Sequence, residues 1–392
     1  MTKVMHIITT LGPAGAEIML SNIISGMDRT RFENEVVSLT GILDLAEKMR
    51  GIGAVVRTLN MKTSAPNPLL VMRLAQWIRE SKPDVIHTWM YHANLVGALA
   101  ARLAGNVPVV WGIHHSALDP RIDKRRTMLV NRICAFLSRK LPARIVCCSE
   151  ASLRIHKNLR YAAEKMEVIP NGFDLEQAKP DPDARASIRQ ELGIPVDAPL
   201  IGIAARFHPL KDHFNFVSAA ARLHKQMPKV HFLLCGINIT WENSRLAGWI
   251  EAEGLRDCCH LLGLRHDMSR LFSGMDIATT ASRSEAFPIA IGEAMACGTP
   301  CVVTDVGDCA LIVDDTGIVV APGDPCALAG GWRNLLEAGP KVRHRLGMAA
   351  RRRVQQHFSL PAIVERYQVI YDRLAAGAAR VLPSANFSQI AS

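Results

Sequence analysis

Long apolar runs are missing from this chain. Nowhere do eighteen uninterrupted apolar residues occur, which argues against a spanning helix. The opening MTKVMHIITTLGPAGAE has too short an apolar run for a signal peptide and reads as a first strand, so a cytoplasmic location is expected. Aromatic residues are scarce at 5%, and no RNA-stacking motif is visible, so nucleic acid is not an expected partner. Ten cysteines are present, yet no CxxC pair is matched by a second pair or by paired histidines, which argues against a structural zinc site. Cys147 and Cys148 are neighbours, as are Cys258 and Cys259, and buried reduced thiols are expected rather than a disulfide framework. Acid is also in deficit, with 36 Asp and Glu against 46 Lys and Arg. The resulting net charge of +10 suits an anionic partner, whether a small molecule or an acidic membrane surface.

What is present is alternation. The apolar runs VMHIITTL, NEVVSL, AVVRTL, DVIHTWM, VPVVWGIHH and RIVCCS are separated by amphipathic stretches such as LLVMRLAQWIRESK. A polar, Pro-containing stretch from Glu176 to Ser187 reads as a linker, and the pattern then restarts with LIGIAARF, VHFLLCG and DIATTAS. Strands alternating with helices predict parallel sheets covered on both faces. The expected fold is α/β, with two Rossmann-like doubly wound parallel-sheet domains facing across a cleft, over 1–178 and 190–358. A helix at about 362–377 is expected to cross back to the first domain, because Ile363, Val364, Tyr367, Ile370, Tyr371 and Leu374 recur at helical spacing. In doubly wound sheets ligands sit at the carboxyl ends of the strands.

Four stretches place reactive groups at such ends. In TTLGPAGAE, Gly12 and Gly15 stand between a strand and a helix, either cradling a phosphate or making a tight turn. This is not GxGxxG, and the second strand ends VVSLT without an acid for a ribose, which lowers the case for a dehydrogenase. In AARFHPLKDH, Arg206 and Lys211 either reach a diphosphate or lie solvated on the surface. His114 follows a strand in WGIHHS and either donates to a ligand or caps its loop. In SRSEAFPIAIGEAMACGTPCVV, Pro288 suits a first helical turn and Gly298 a helix end, so Glu285 precedes a helix and Glu293 lies inside it. Free N–H groups are expected at that helix start. A basic stretch, Arg121, Lys124, Arg125, Arg126, Arg132, Arg139, Lys140 and Arg144, surrounds Leu129, Val130, Ile133 and Phe136 and is opposed by Asp119 and Asp123. It is either a membrane-surface helix or a solvated face with an ordinary core stripe.

Taken in order, LGPAGAE, KPDVIHTWMYHANLVGALAARLAG, VIPNGFD, AARFHPLKD and SEAFPIAIGEAMACGTPCVVTDVG resemble the family-4 retaining glycosyltransferases of GT-B fold, along nearly the whole chain. The E-x7-E element from Glu285 to Glu293 carries most of that resemblance, and the bacterial surface-polysaccharide members are the most similar. The resemblance implies transfer of a hexose-type sugar from a nucleoside-diphosphate sugar, UDP being expected, to a glycan or lipid-linked acceptor, without cofactor or metal. It implies catalytic roles for His114, Arg206, Lys211 and Glu285. Donor binding would fall to Gly15, Asn171, Gly263, Phe287, Pro288, Ile289 and Glu293. Glu285 would hold sugar hydroxyls, Glu293 the ribose, Arg206 and Lys211 the diphosphate, and the loop around Gly263 the base. The usual doubled glycine is Ala14–Gly15 here, which leaves that loop's shape open. The D-x-D string Asp181–Pro182–Asp183 lies in the expected linker and reads as a turn. Acceptors of this kind are often lipid-linked, so peripheral attachment to the inner face of the plasma membrane is a further expectation. A nucleotide-sugar 2-epimerase of the same fold and a non-catalytic nucleotide-sugar-binding protein are the alternatives. The first needs cleft acid/base carboxylates not found in the sequence, and the second would be expected to lose Arg206, Lys211 or Glu285.

Overall fold

Among the described residues, thirteen short strands, rich in β-branched and apolar residues, form two parallel sheets. The computed structural model describes residues 1–12, 15–41, 45–61, 67–115 and 124–377; Ala14, Asp119, Arg121 and Asp123 lie outside the described residues. The described residues divide into two units: those within Met1–Gly172 together with 360–377, and Phe173–Ser359.

The first sheet contains β1 (Thr2–Ile8), β2 (Phe32–Ser38), β3 (Val55–Thr58), β4 (Val85–Trp89), β5 (Val109–Ile113), β6 (Arg144–Cys147) and β7 (Met166–Val168), in the order β3-β2-β1-β4-β5-β6-β7. Every neighbouring pair is parallel. β4 and β5 are buried at every residue, as strands covered on both faces must be. The final helix, Leu360–Ala375, packs on the helix Gly15–Gly26 and on β1 and β4. Its apolar stripe, from Ile363 to Leu374, joins Val4, Ile8, Leu20 and Trp89 in one core.

The second sheet contains β8 (Leu200–Ala204), β9 (His231–Cys235), β10 (Cys259–Leu261), β11 (Ile277–Thr280), β12 (Cys301–Thr304) and β13 (Gly317–Val320), in the order β10-β9-β8-β11-β12-β13, again parallel throughout. Each sheet therefore runs third, second, first, fourth, fifth, sixth, and reverses direction beside its first strand. That reversal opens a crevice at the carboxyl ends of β1 and β4 in one unit, and of β8 and β11 in the other. The stretch expected as a linker lies inside the second unit. The helix Ala184–Leu192 begins within it, and Arg185 and the buried Arg189 both bond the Asp276 carboxylate, at 2.8 and 2.7 Å. Within it, the Asp181 carboxylate accepts from Asp183 N–H at 3.0 Å, a local turn.

No helix among the described residues is long and apolar enough to cross a membrane. The cysteines are all free; nine are buried and Cys326 is exposed.

Candidate active site

In the second unit the loops that leave β8, β9 and β10 are stitched side by side. Ala205 N–H donates to Cys235 C=O (2.9 Å), Phe207 N–H to Ile237 C=O (2.9 Å), and Gly236 N–H to Gly263 C=O (2.7 Å). Gly236 must be glycine here: its φ is +140° and a Cβ would stand 2.3 Å from the Ala205 carbonyl oxygen. The stitching fixes the backbone at Gly263 and the start of the loop that carries Arg206. Arg206 itself is exposed, and its guanidinium has no hydrogen-bond or ion-pair partner among the described residues.

Lys211 ends a short 3₁₀ turn, Pro209–Lys211. Asp212 then takes φ 47° and its carboxylate accepts from Asn215 N–H (3.3 Å), which caps the helix His213–His224. The other Asp212 oxygen accepts from Arg283 Nε at 2.6 Å, while Arg283 N–H donates to Leu210 C=O at 2.8 Å. The loops after β8 and β11 are thereby locked together. Across that lock, Lys211 Nζ donates to Glu285 Oε1 at 2.5 Å, and Ser282 Oγ donates to the same oxygen at 2.7 Å. Thr280 Oγ1 lies 2.9 Å from Ser282 Oγ, and Thr304 Oγ1 donates to Ser282 C=O at 2.8 Å, so three hydroxyls fix the glutamate from behind. The Glu285 backbone is wedged as well. Gly307, at φ +59°, passes so close that a Cβ there would lie 2.2 Å from Glu285 C=O.

Past Glu285 the helix Ile289–Ala296 begins. Pro288 is the residue before the helix, not part of its first turn, because its ψ of 83° is non-helical. The helix start is also less open than expected: Ile289 N–H turns back onto Phe287 C=O (3.0 Å) and Ile291 N–H reaches Pro288 C=O (3.1 Å), beside the ordinary first helical bond from Gly292 N–H to that same carbonyl. Phe287 is a buried wall, stacked on Phe173 at 6.0 Å and edge-on to Phe358 at 5.7 Å. Gly292 admits the Phe173 ring, which leaves no room for a Cβ. One turn into the helix, the half-buried Glu293 carboxyl has no hydrogen-bond partner among the described residues, and burial pushes it up to about 7. A half-buried carboxyl with no donor among the described residues is suited to receive ligand hydroxyls.

Gly15, His114 and Asn171 belong to the first unit. Gly15 opens the helix Gly15–Gly26 at the carboxyl end of β1. Asn171 is buried, with Oδ1 unpartnered. His114 stacks on Trp89 (4.9 Å, 22° between planes), its Nε2 buried and unpartnered, and desolvation lowers its pKa to about 4. It is therefore neutral near pH 7. Behind Trp89 lies His87, 4.4 Å away between ring centres, whose Nδ1 is 2.6 Å from the Tyr371 hydroxyl of the final helix.

The sequence did not disclose Ser282, Thr280, Asp212 or Gly307. Ser282 and Thr280 stand three and five residues before Glu285, a spacing that could have flagged them; Asp212 and Gly307 are distant in sequence from what they hold. Arg283, two residues before Glu285, pairs with Asp212 rather than with either glutamate.

Two doubly wound sheets, with a cation–carboxylate pair at the switch point of the second, match the GT-B architecture that the resemblance implies. Solved structures agree on the fold: Anabaena HepE, in complex with UDP and glucose, superposes with a TM-score of 0.84 at 23% identity, over 95% of this chain and 100% of that one. The family described as glycosyltransferase family 4 matches residues 13–177, and that described as glycosyl transferases group 1 matches residues 184–353. The chain belongs to the family-4, group 1 glycosyltransferases. Among its curated relatives is the Escherichia coli UDP-Gal:alpha-D-GlcNAc-diphosphoundecaprenol alpha-1,3-galactosyltransferase, 22% identical over 378 residues, covering 91% of this chain and 96% of that protein. Another is the D-inositol 3-phosphate glycosyltransferase of Xylanimonas cellulosilytica, 29% identical over 310 residues, covering 72% and 70%.

Proposed function

We propose that this glycosyltransferase moves a hexose from a UDP-sugar to a glycan or lipid-linked acceptor in polysaccharide synthesis, with retention of anomeric configuration and without a metal. The carrying observation is the Lys211–Glu285 pair, with unpartnered Arg206 and Glu293 on the same unit. Arg206 and Lys211 receive the diphosphate, whose charge grows as the C1–oxygen bond breaks and its electron pair moves to the phosphate. Glu285, released from Lys211, accepts from sugar hydroxyls, and Glu293 accepts from the ribose. The acceptor oxygen bonds C1 on the face the phosphate leaves, and its proton passes to the departing phosphate oxygen. His114 serves as a sugar contact of the first unit. UDP and a lipid-linked acceptor are favoured by the names of the relatives and the UDP-bound neighbour.

The basic segment of the first unit supports membrane attachment. On the helix Arg125–Leu137, Val130, Asn131 and Cys134 face inward, whereas Leu129, Ile133 and Phe136 are exposed, Phe136 at 80%. That apolar row is not a core stripe, and exposed Lys124, Arg125, Arg126, Arg132, Arg139 and Lys140 surround it. Such a face suits an anionic lipid surface.

Incubation with a panel of UDP-sugars and a lipid-diphosphate-linked sugar acceptor, followed by NMR of the product, tests the activity. Release of UDP with an anomeric centre matching the donor is the expected result; an inverted centre, or free sugar as the only product, overturns it. Co-sedimentation with vesicles should need anionic lipid and weaken with salt. Equal recovery on neutral vesicles removes the attachment.

A further inference from the structure

The loop that carries Arg206 and Lys211 has a second side. There a cavity of about 410 Å³ is walled by Phe207, His213, Phe214 and Trp249 and edged by Arg245 and Arg283. The rings form a continuous set: Phe207 lies 5.8 Å and Phe214 5.3 Å from Trp249, and Phe207 lies 5.5 Å from His213. Phe214 stays 50% exposed although a packed aromatic wall is beside it. His213 is 2% exposed, and neither ring nitrogen meets hydrogen-bond geometry, a loose polar contact with the Ala205 backbone aside. The helix Ser244–Ala252 supplies the opposite side, with Arg245 lying over the Trp249 ring at 5.1 Å.

The charge at this cavity is one-sided. The one acid among the described residues that line it, Asp212, is held by Arg283 Nε at 2.6 Å, and the Arg283 side chain is otherwise 63% exposed. Two guanidiniums therefore flank an aromatic floor, with one carboxylate already paired. Aromatic faces, negative at the ring centre, attract the C–H face of a pyranose, and planar guanidiniums suit a carboxylate or phosphate. We propose that this cavity is a second saccharide subsite, separate from the Lys211–Glu285 pair, that takes an anionic sugar residue of a glycan. The choice of a saccharide rests on the transferase reading above. The anionic preference and the place rest on the rings and guanidiniums alone.

The probe is a tetrasaccharide of alternating glucuronic acid and N-acetylglucosamine, with the neutral N-acetylglucosamine tetramer beside it. Both are titrated by calorimetry and by tryptophan fluorescence into protein saturated with UDP. The acidic tetrasaccharide should bind with UDP in place, at least about tenfold more tightly than the neutral one, the size of one lost charge-assisted hydrogen bond. Arg245→Gln and Trp249→Leu should each weaken it about tenfold while leaving UDP affinity unchanged, which also reports an intact fold. Equal affinity for the two probes, competition by UDP, or insensitivity to both substitutions would overturn the subsite. If UDP itself fails to bind the wild-type protein, the donor reading falls, while the tetrasaccharide comparison still decides this proposal.

Discussion

The two units share a strand order but not a chemistry. In the second, the switch-point loops carry Arg206, Lys211 and Glu285 and the helix Ile289–Ala296 carries Glu293, and the loops are locked to one another by the Asp212–Arg283 pair. In the first, the corresponding end of β5 carries His114, neutral and stacked on Trp89, above a buried layer of His87, Tyr367 and Tyr371. The same winding thus serves as a charged cradle in one half and as an uncharged aromatic wall in the other. Topology sets where side chains converge, and the loops decide what converges there.

The sharpest break of this contrast is expected at the cradle. Glu285→Gln should cut transfer on the order of 100- to 1000-fold, the range seen when one preorganised transition-state contact is removed. UDP affinity should hold or improve, because Lys211 loses a competing carboxylate. Lys211→Ala should lower both. Parallel losses of UDP affinity in the two variants, read by calorimetry, would remove the division of labour between them.

A smaller effect is expected at Gly307. With an alanine, the Cβ must push Glu285 C=O away, so transfer should fall about tenfold or more while the first unit's unfolding is unchanged. Circular dichroism melting beside a rate measurement distinguishes this from global damage.

Glu293 gives a pH signature. Between the ordinary glutamate value of 4.5 and about 7, the folded protein holds a proton that the unfolded chain has lost. Stability therefore falls as pH rises through that window and stays lower above it. Glu293→Gln should remove the slope, worth on the order of 1–2 kcal/mol after allowance for partial exposure. Uridine, which has no titrating phosphate, should bind the wild type more tightly from pH 6 to 8 as the carboxylate forms. A matching rise in the Gln variant would place the titration elsewhere.

The mildest test falls on the aromatic wall. Tyr371→Phe strips the hydroxyl from buried His87 and should cost about 1–3 kcal/mol of first-unit stability in urea melts. UDP affinity should not move. A change in UDP affinity would mean the two halves are not as chemically separate as their loops suggest.

Local periodicity carried the α/β alternation, and Gly298 and the run at Cys301 placed the helix Ile289–Ala296 and β12 closely. The pairs that make the site did not show, because Lys211 and Glu285 are 74 residues apart and meet only once β8 and β11 lie side by side. Spacing also could not tell which side of the helix Arg125–Leu137 is covered. The inward face is chosen by tertiary partners, with the Tyr161 hydroxyl bonding Asn131 while Leu129 and Phe136 stay outside. Nor does the sequence show that the turn at Phe287–Pro288 engages the Ile289 and Ile291 N–H groups, which a bare helix start would leave open.

The final helix has a consequence for biosynthesis. Ile363, Val364, Tyr367, Ile370 and Tyr371 belong to the same core as Val4 and Ile8 of β1, so β1 waits for a segment made after the whole of Phe173–Ser359 before its sheet is covered. The span Phe173–Ser359 emerges whole before that and has its own sheet. Synthesis therefore favours an order in which the unit Phe173–Ser359 matures first, while the other keeps an apolar face open to chaperones until Leu360–Ala375 has emerged.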